Sequence, residues 1–215
     1  MARKIPKHPS LDIVGSDGAE LSDKKIVLCV AGSVAAYKSI ELARLLMRHG
    51  ANVTCVASEA ATKLIQPAYF KWATGNPVIT KLTGNLEHIT VADYKKSDLI
   101  VVYPCTANTL GKLASGIDDT PIATVLTVGF GSKIPIVMCL AMHAAMYDNI
   151  AVKKNIAFLK KKIDFVSPNM IEGKAKAAEA EDVLEYVKKV WVFFCSKGKK
   201  SFDYCRTNYR IFRSS

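Results

Sequence analysis

Residues 26–57 read IVLCVAGSVAAYKSIELARLLMRHGANVTCVA, and this stretch decides the fold. It opens with a short apolar run over 26–31, rich in β-branched residues and closed by Gly32, which is typical of a strand buried on both faces of a parallel sheet. Apolar residues of 35–49 then recur at helical spacing and end at a glycine suited to a helix C-cap. A second apolar run follows over 52–57. This order predicts a right-handed βαβ unit.

The same alternation of apolar runs and amphipathic stretches continues downstream. Strands alternating with helices over this length predict one doubly wound parallel sheet covered by helices on both faces, a three-layer α/β/α domain of the flavodoxin-like type. Ligands in such sheets bind beyond the carboxyl ends of the strands. The predicted elements are strands over 99–103, 134–140 and 164–166 and helices over 59–73, 107–114, 121–127, 144–160 and 179–190.

Composition divides the 215 residues into a central domain and two ends. Residues 1–23 are polar, contain proline and glycine and lack periodicity, which predicts an extended or disordered arm. The domain is expected over 24–187. Residues 188–215 form a basic tail, for which a truncated or altered reading frame and a genuine tail are both open interpretations.

The net charge of +11 is concentrated in that tail. Residues 188–215 hold eight lysines and arginines against Asp203, a local charge of +7, so the rest of the chain carries only +4. Since no aromatic and basic recognition motif accompanies the charge, we expect no nucleic-acid partner.

The six cysteines are scattered, without a C-x-x-C pair or a spacing that would hold zinc, and four lie in apolar runs. This usage predicts reduced thiols, a cytoplasmic location and no metal. The sequence lacks both a signal-peptide pattern and an apolar run of the ~18 residues that a membrane span needs, so no membrane partner is expected.

Four segments lie where strands are predicted to end. They are residues 31–38 (AGSVAAYK), Ser58, residues 104–109 (PCTANT) and residues 140–147 (LAMHAAMY). Small residues and backbone amides at a strand–helix junction favour a phosphate, and hydroxyl and amide side chains suit a flat heterocycle. Tight turns, helix caps and core packing of the methionines are the alternative interpretations.

His88 is the candidate general base, because imidazole is the side chain suited to accept a proton near neutral pH. A solvated or structurally satisfied histidine is the alternative. His8 and His49 are expected to be solvated, since they fall in the arm and at a helix end.

Taken in order, these segments resemble the homo-oligomeric flavin-containing cysteine decarboxylase family. PCTANT is similar to the family's PASANT motif, and LAMHAAMY is similar to its PxMNxxMW motif. The resemblance runs from about Lys24 to Val187 and implies FMN as the cofactor, with the phosphate near the first loops. The FMN contacts that it implies are Gly32, Ser33, Val34, Ser58, Thr62, Cys105, Thr106, Ala107 and Asn108.

The resemblance further implies an FMN-dependent carboxy-lyase acting on a cysteine carboxylate, with 4′-phosphopantothenoylcysteine as the expected substrate. It also implies a homotrimer, or a multiple of trimers, with FMN at the subunit interface. A flavin prenyltransferase-like enzyme and a non-catalytic FMN-binding regulatory subunit are the alternatives. The implied catalytic residues are His88 and His143, and the implied substrate-binding residues are Met142, His143, Asp119 and Lys174.

Three positions depart from the family pattern. His143 stands where the family has the asparagine that holds the substrate carboxylate, and an imidazole can still donate a hydrogen bond there. Asp119 replaces another asparagine and is expected either to contact the ligand or to cap a helix. The substrate clamp, residues 168–176, lacks the cysteine that helps reduce the enethiol intermediate in many relatives. Either another group donates that proton or the enethiol is the product.

Overall fold

The computed structural model describes residues 8–171 and 174–196. Its centre is a five-stranded parallel sheet with the strand order β2-β1-β3-β4-β5. The chain moves outward from β1 to β2 and then crosses to the other side of β1 for β3, so the strand order reverses there. The strands are β1 (Lys25–Val30), β2 (Asn52–Ala57), β3 (Leu99–Cys105), β4 (Ile136–Leu140) and β5 (Asp164–Val166).

Helices cover both faces of the sheet, and a small antiparallel hairpin follows β5. The hairpin consists of β6 (Asn169–Ile171) and β7 (Lys174–Lys176), and short 3-10 helices span Pro9–Ile13 and Val34–Tyr37. The α-helices are α1 (Lys38–Arg48), α2 (Glu59–Leu64), α3 (Pro67–Thr74), α4 (Glu87–Ala92), α5 (Ala107–Ser115), α6 (Pro121–Gly131), α7 (Ala144–Asp148), α8 (Ile150–Leu159) and α9 (Ala180–Ser196).

The core lies on both faces of the sheet, because successive strand residues point in opposite directions. Ile26 and Leu28 of β1 pack in the cluster that includes α1, α3 and α9. Val27 and Cys29 pack in the cluster that includes α5 and α6. The continuous apolar runs of the sequence therefore correspond to strands buried on both sides, and the predicted flavodoxin-like fold class is confirmed.

Proline and asparagine divide two stretches that the sequence predicted as single helices. Gln66 is extended before Pro67, so the helix predicted over 59–73 becomes α2 and α3. The stretch 144–160 becomes α7 and α8 at Asn149, whose side-chain oxygen accepts a hydrogen bond from the Ala151 amide. Helix α4, which contains His88, was not predicted from the sequence.

The predicted arm is packed against the domain from residue 8 onward, so the expectation of an extended or disordered lead was wrong for residues 8–23. Leu21 is buried in the core, and the Glu20 carboxylate lies 2.8 Å from Nδ1 of His49. At the other end, α9 runs six residues past the predicted helix end at Val190 and includes the expected boundary at 187. The remainder of the predicted basic tail, residues 197–215, lies outside the described residues.

Candidate functional site

A cavity of about 570 Å³ opens at the carboxyl edge of the sheet, beside the point where the strand order reverses. The loops after β1, β3 and β4 and the first turns of α2, α5 and α6 enclose it. Segments far apart in sequence therefore form one site, as expected for a doubly wound sheet. Its lining residues are Ala31, Gly32, Ser33, Ser58, Glu59, Ala60, Lys63, Thr106, Ala107, Asn108, Thr109, Lys112, Thr120, Ile122, Ala123, Ala141, Met142 and Met146.

The loop after β1 and the start of α2 meet at Gly32. A Cβ atom built on Gly32 would lie 2.4 Å from the Cβ of Ala60, so the close approach of these two segments requires glycine. Ser33 and Ser58 flank this contact, and their hydroxyl oxygens accept hydrogen bonds from the amides of Ala35 at 3.3 Å and Ala61 at 3.1 Å. Each hydroxyl thus caps a helix start at the cavity wall.

The loop after β3 contributes a third capped helix start. The Thr106 hydroxyl accepts a hydrogen bond from the Thr109 amide at 3.3 Å and lies 3.2 Å from the Thr109 hydroxyl. Asn108 lines the cavity one residue after Ala107 and is exposed to it. Hydroxyl, amide and backbone groups are therefore concentrated on this wall, while Ile122 and Met142 supply apolar surface to the same cavity.

The charged residues of the cavity wall take part in two ion pairs. The ammonium of Lys112 lies 2.7 and 2.9 Å from the carboxylate oxygens of Asp119, and that hydrogen bond lowers the pKa of Asp119. Lys63 pairs with Glu59 at 2.9 Å, one helical turn away on α2. Asp119 does not cap α6, because the Thr120 side chain accepts from the Ala123 amide and fills that role.

Most of the predicted cofactor contacts line this cavity, but three lie outside it. Val34 is 87% exposed and is not among the residues that line the cavity. The Thr62 hydroxyl donates to the carbonyl of Glu59 at 2.8 Å. Cys105 is buried in the core, where burial raises the pKa of its thiol to about 12. The predicted contacts that the structure brings together are Gly32, Ser33, Ser58, Thr106, Ala107 and Asn108, with Met142 among the predicted substrate residues.

The two predicted catalytic histidines lie outside the cavity wall of the single chain. His143 is exposed at the N-cap of α7, next to Met142, and its Nδ1 accepts from the Ala145 amide at 3.4 Å. His88 lies on α4, which packs against α6, the helix whose first turn lines the cavity. Its Nδ1 is buried and has no hydrogen-bond partner among the residues that the structure describes.

The predicted substrate clamp corresponds to the β6–β7 hairpin. The segment after the hairpin contacts β3 and α1: the Tyr103 hydroxyl donates to the Ala178 carbonyl at 2.6 Å, and Lys38 pairs with Glu179 at 2.5 Å. The backbone of Lys174 belongs to β7, whereas its side chain and residues 172–173 lie outside the described part of the chain.

The sequence motifs did not include several charged and apolar residues that complete the cavity wall. Lys112 follows Asn108 by four residues on α5, so the helical period places both on one face and could have identified it. Ile122 and Ala123 gave no such signal, because the contact of α6 with the cavity depends on helix packing. The missed lining residues with charged side chains are Glu59, Lys63 and Lys112.

Two further features of the described chain concern metal ions and membranes. Residues 8–171 and 174–196 contain no cluster of histidine, cysteine, aspartate and glutamate that could hold a metal ion. Every helix within those ranges is too short or too polar to cross a membrane.

Fold and cavity together define a flavodoxin-like α/β ligand-binding protein with its site at the switch point of the sheet. Comparison with known proteins agrees with this class. Residues 15–191 match the Flavoprotein family, and the chain belongs to that family. The flavoprotein resemblance predicted from the sequence motifs is thereby confirmed.

Curated relatives fall into two groups by length. The coenzyme A biosynthesis bifunctional protein CoaBC of Thermococcus kodakarensis is 49% identical over 175 residues, which is 80% of this chain and 43% of that protein. The probable phosphopantothenoylcysteine decarboxylase of Streptococcus mutans is 36% identical over 143 residues, 64% of this chain and 78% of that protein. The chain thus spans less than half the length of the bifunctional relatives.

Solved structures share the fold. The FMN-dependent cysteine decarboxylase SpaF superposes with a TM-score of 0.69 at 22% identity, covering 80% of this chain and 99% of that one. A mutant PPC decarboxylase complexed with pantothenoylaminoethenethiol gives a TM-score of 0.67 at 21% identity, covering 79% of this chain and 99% of that one.

Proposed function

We propose that this chain binds FMN and decarboxylates 4′-phosphopantothenoylcysteine to 4′-phosphopantetheine in coenzyme A biosynthesis. Support comes from curated relatives at 36–49% identity that are named for coenzyme A biosynthesis or for this decarboxylase. Fold relatives described as FMN-dependent cysteine decarboxylases point the same way.

The observation that carries the proposal is the cavity at the carboxyl edge of the sheet. Its volume of about 570 Å³ lies within the range of small-molecule and cofactor sites. Ser33 and Ser58, with the neighbouring backbone amides, offer hydrogen bonds to a phosphate. Ala107, Ile122 and Met142 offer apolar surface to a flat ring system. The residues present therefore fit FMN.

A bound FMN would supply the two-electron oxidant that the cysteine side chain of the substrate needs. His88 would take the thiol proton as general base while the adjacent carbon loses a hydrogen with two electrons, which leaves a thioaldehyde in the substrate. The bond to the carboxylate then breaks, its electron pair moves into the thioaldehyde, and CO₂ leaves. The resulting enethiol must regain two electrons, which the reduced FMN would return, and two protons to become phosphopantetheine.

His143 is suited to hold the substrate carboxylate. Because its Nδ1 accepts the Ala145 amide proton, a neutral ring carries its own proton on Nε2, which is then a donor at an exposed site beside Met142. An imidazole in this tautomer can replace the amide donor of the asparagine found in relatives. We propose this role for His143.

We propose that the active form is a homotrimer, or a multiple of trimers, in which His88 reaches the cavity of a neighbouring copy. His88 lies outside the cavity of its own chain, and its buried Nδ1 has no partner among the described residues. Exposed apolar side chains near the cavity, Val34, Leu64 and Met146, are suited to a subunit contact. The cytoplasmic location stays a prediction.

The proposal is tested by incubating the purified, FMN-loaded protein with phosphopantothenoylcysteine and following CO₂ release and product mass. We expect CO₂ release with a product that has lost only CO₂; a product lacking two further hydrogens would identify the enethiol as the product. Dimethylallyl phosphate serves as the control substrate, and its consumption would favour a prenyltransferase-like activity instead.

A non-catalytic FMN-binding subunit is the second candidate. The histidine at position 143 and the absence of cysteine from 168–176 are the observations that favour it. Stoichiometric FMN binding without CO₂ release under any condition would decide for this candidate.

A further inference from the structure

Lys112 is a largely buried cation in the wall of the cavity. It follows Asn108 by one helical turn on α5, and its side chain is only 18% exposed. Of the described residues that line the cavity, Glu59 and Lys63 are the other charged ones, and their side chains are 82% and 72% exposed. An ammonium shielded from solvent acts more strongly on a ligand beside it, because the effective dielectric constant is lower there.

Asp119 fixes the position of this ammonium and offsets its charge. Both carboxylate oxygens lie within 2.9 Å of Nζ of Lys112, and the hydrogen bond lowers the pKa of Asp119, so the carboxylate is ionised near neutral pH. Asp119 itself is 58% exposed and is absent from the cavity wall. The ligand therefore meets a cation whose field is reduced, but not cancelled, by a more distant anion.

The two lysines of the cavity wall lie on different helices. Lys63 lies on α2, whose N-cap is Ser58, so it belongs to the side of the cavity that offers hydroxyls and amides to a phosphate. Lys112 lies on α5, a different helix of the wall, which also contributes Ala107 to the apolar surface. Lys112 therefore does not share a helix with the serines proposed for the phosphate.

We propose that Lys112 lies beside the ring system of the flavin in this cavity and that the Lys112–Asp119 pair sets the reduction potential of that flavin. Two-electron reduction of a flavin leaves negative charge on the ring near neutral pH, and protein charges beside the ring tune that equilibrium. Lys112 stabilises the reduced ring relative to the oxidised ring, and Asp119 moderates the effect. Both residues act on the ring through their charge. This inference rests on the proposed FMN binding.

The test measures the midpoint potential of bound FMN in the wild type and in two single variants of opposite sign. Lys112→Met removes the cation, so the preference for reduced over oxidised FMN should fall by about threefold to tenfold, a shift of about −15 to −30 mV for a two-electron couple. Asp119→Asn removes the anion and keeps the lysine. The same preference should rise by about threefold, or about +15 mV.

Lys63→Met is the matched control, because it removes a lysine from the same cavity on the phosphate side; the redox preference should change by less than about twofold. FMN bound with unchanged potentials in both test variants, or potentials shifted in the same direction, would overturn the inference while leaving the proposed function intact. If Lys112→Met fails to fold, the sign of the shift in midpoint potential in Asp119→Asn alone decides whether the inference holds. A wild-type protein that binds no FMN would overturn both proposals.

Discussion

Gly32 shows how one residue determines the shape of the site. The closest approach of the β1 loop to α2 leaves no room for a side chain, since a Cβ atom there would also lie 3.1 Å from the Ala60 carbonyl carbon. The glycine after the first strand was identified from the sequence as part of a strand–helix turn. The reason that it must be glycine is a contact with a segment almost thirty residues later, which a local pattern does not contain.

Gly32→Ala should displace α2 and weaken both the fold and the cavity. We expect a loss of about 1–3 kcal/mol in the free energy of unfolding, the usual cost of overpacking, and a weaker affinity for FMN. Gly84→Ala is the matched control, because a Cβ atom at Gly84 would meet no atom within 4 Å. Denaturant unfolding and FMN titration measure both effects. Equal behaviour of the two variants would contradict the packing argument.

Asp164 is a partly buried carboxyl group at the start of β5. Burial raises its pKa to about 6, although the Tyr186 hydroxyl donates to it at 3.3 Å. A carboxyl group whose pKa is raised in the folded state does not lower the free energy of unfolding at low pH, where it is protonated. Its ionisation lowers the free energy of unfolding as the pH rises from about 4 to above 6.

Asp164→Asn should therefore stabilise the protein at pH 8 and have little effect at pH 4. We expect a gain of up to about 3 kcal/mol at pH 8 in the free energy of unfolding. Chemical denaturation of both proteins at the two pH values gives the comparison. A gain of the same size at pH 4 and pH 8 would show that ionisation of Asp164 is not its cause.

At the scale of elements, the central sheet could be predicted and the helix breaks largely could not. β2 and β5 begin and end at the residues predicted from the sequence. The prediction is clearest for the inner strands β1 and β3, because strands buried on both faces consist almost entirely of apolar residues. Pro67 marked the break between α2 and α3, but the amphipathic spacing on both sides concealed it. The six residues of α4 gave too short a pattern to be recognised.

The segment 8–23 is the element that sequence composition described least well. The segment is polar but makes specific contacts with the domain. The Glu20 carboxylate is hydrogen-bonded to His49 and lies 3.5 Å from Nζ of Lys188 on α9. The hydrogen bond with His49 is the main cause that lowers the pKa of Glu20 to about 2. A lowered carboxyl pKa stabilises the fold above the unfolded-state value, near 4.5, and that stabilisation is lost as the pH falls toward 2.

Glu20→Gln should lower the melting temperature at pH 7, and the difference from the wild type should shrink as the pH falls below about 4.5. Glu59→Gln is the control, since Glu59 belongs to an exposed pair within one helix, which contributes little. Thermal unfolding at several pH values measures the difference. A deficit that stays constant down to pH 3 would rule out the ionised Glu20 as its source.

The whole molecule brings four distant loops to one edge of the sheet but leaves His88 elsewhere. Sequence order and strand topology predict the first result, because parallel strands present their carboxyl ends together. Strand topology does not predict the second, because His88 lies on α4, a helix that the sequence pattern did not indicate. The proposed trimer accounts for it by supplying the imidazole from a neighbour.

Mixed oligomers test this arrangement. His88→Ala should retain bound FMN and lose turnover, whereas Asn108→Asp should damage the cavity and spare His88. If a cavity uses the histidine of another copy, co-expression of the two variants should restore activity above that of either alone. No restoration in co-purified mixed oligomers would place His88 at the cavity of its own chain or outside catalysis.

The central claim is that the cavity at the switch point holds FMN by its phosphate as well as by its ring. Titration of the purified protein with FMN and with riboflavin, which lacks the phosphate, measures this directly. We predict saturable yellow binding with FMN preferred by at least about tenfold, or about 1.4 kcal/mol, and a smaller preference in Ser33→Ala. A protein that binds neither compound, or binds both with the same affinity, would contradict the account.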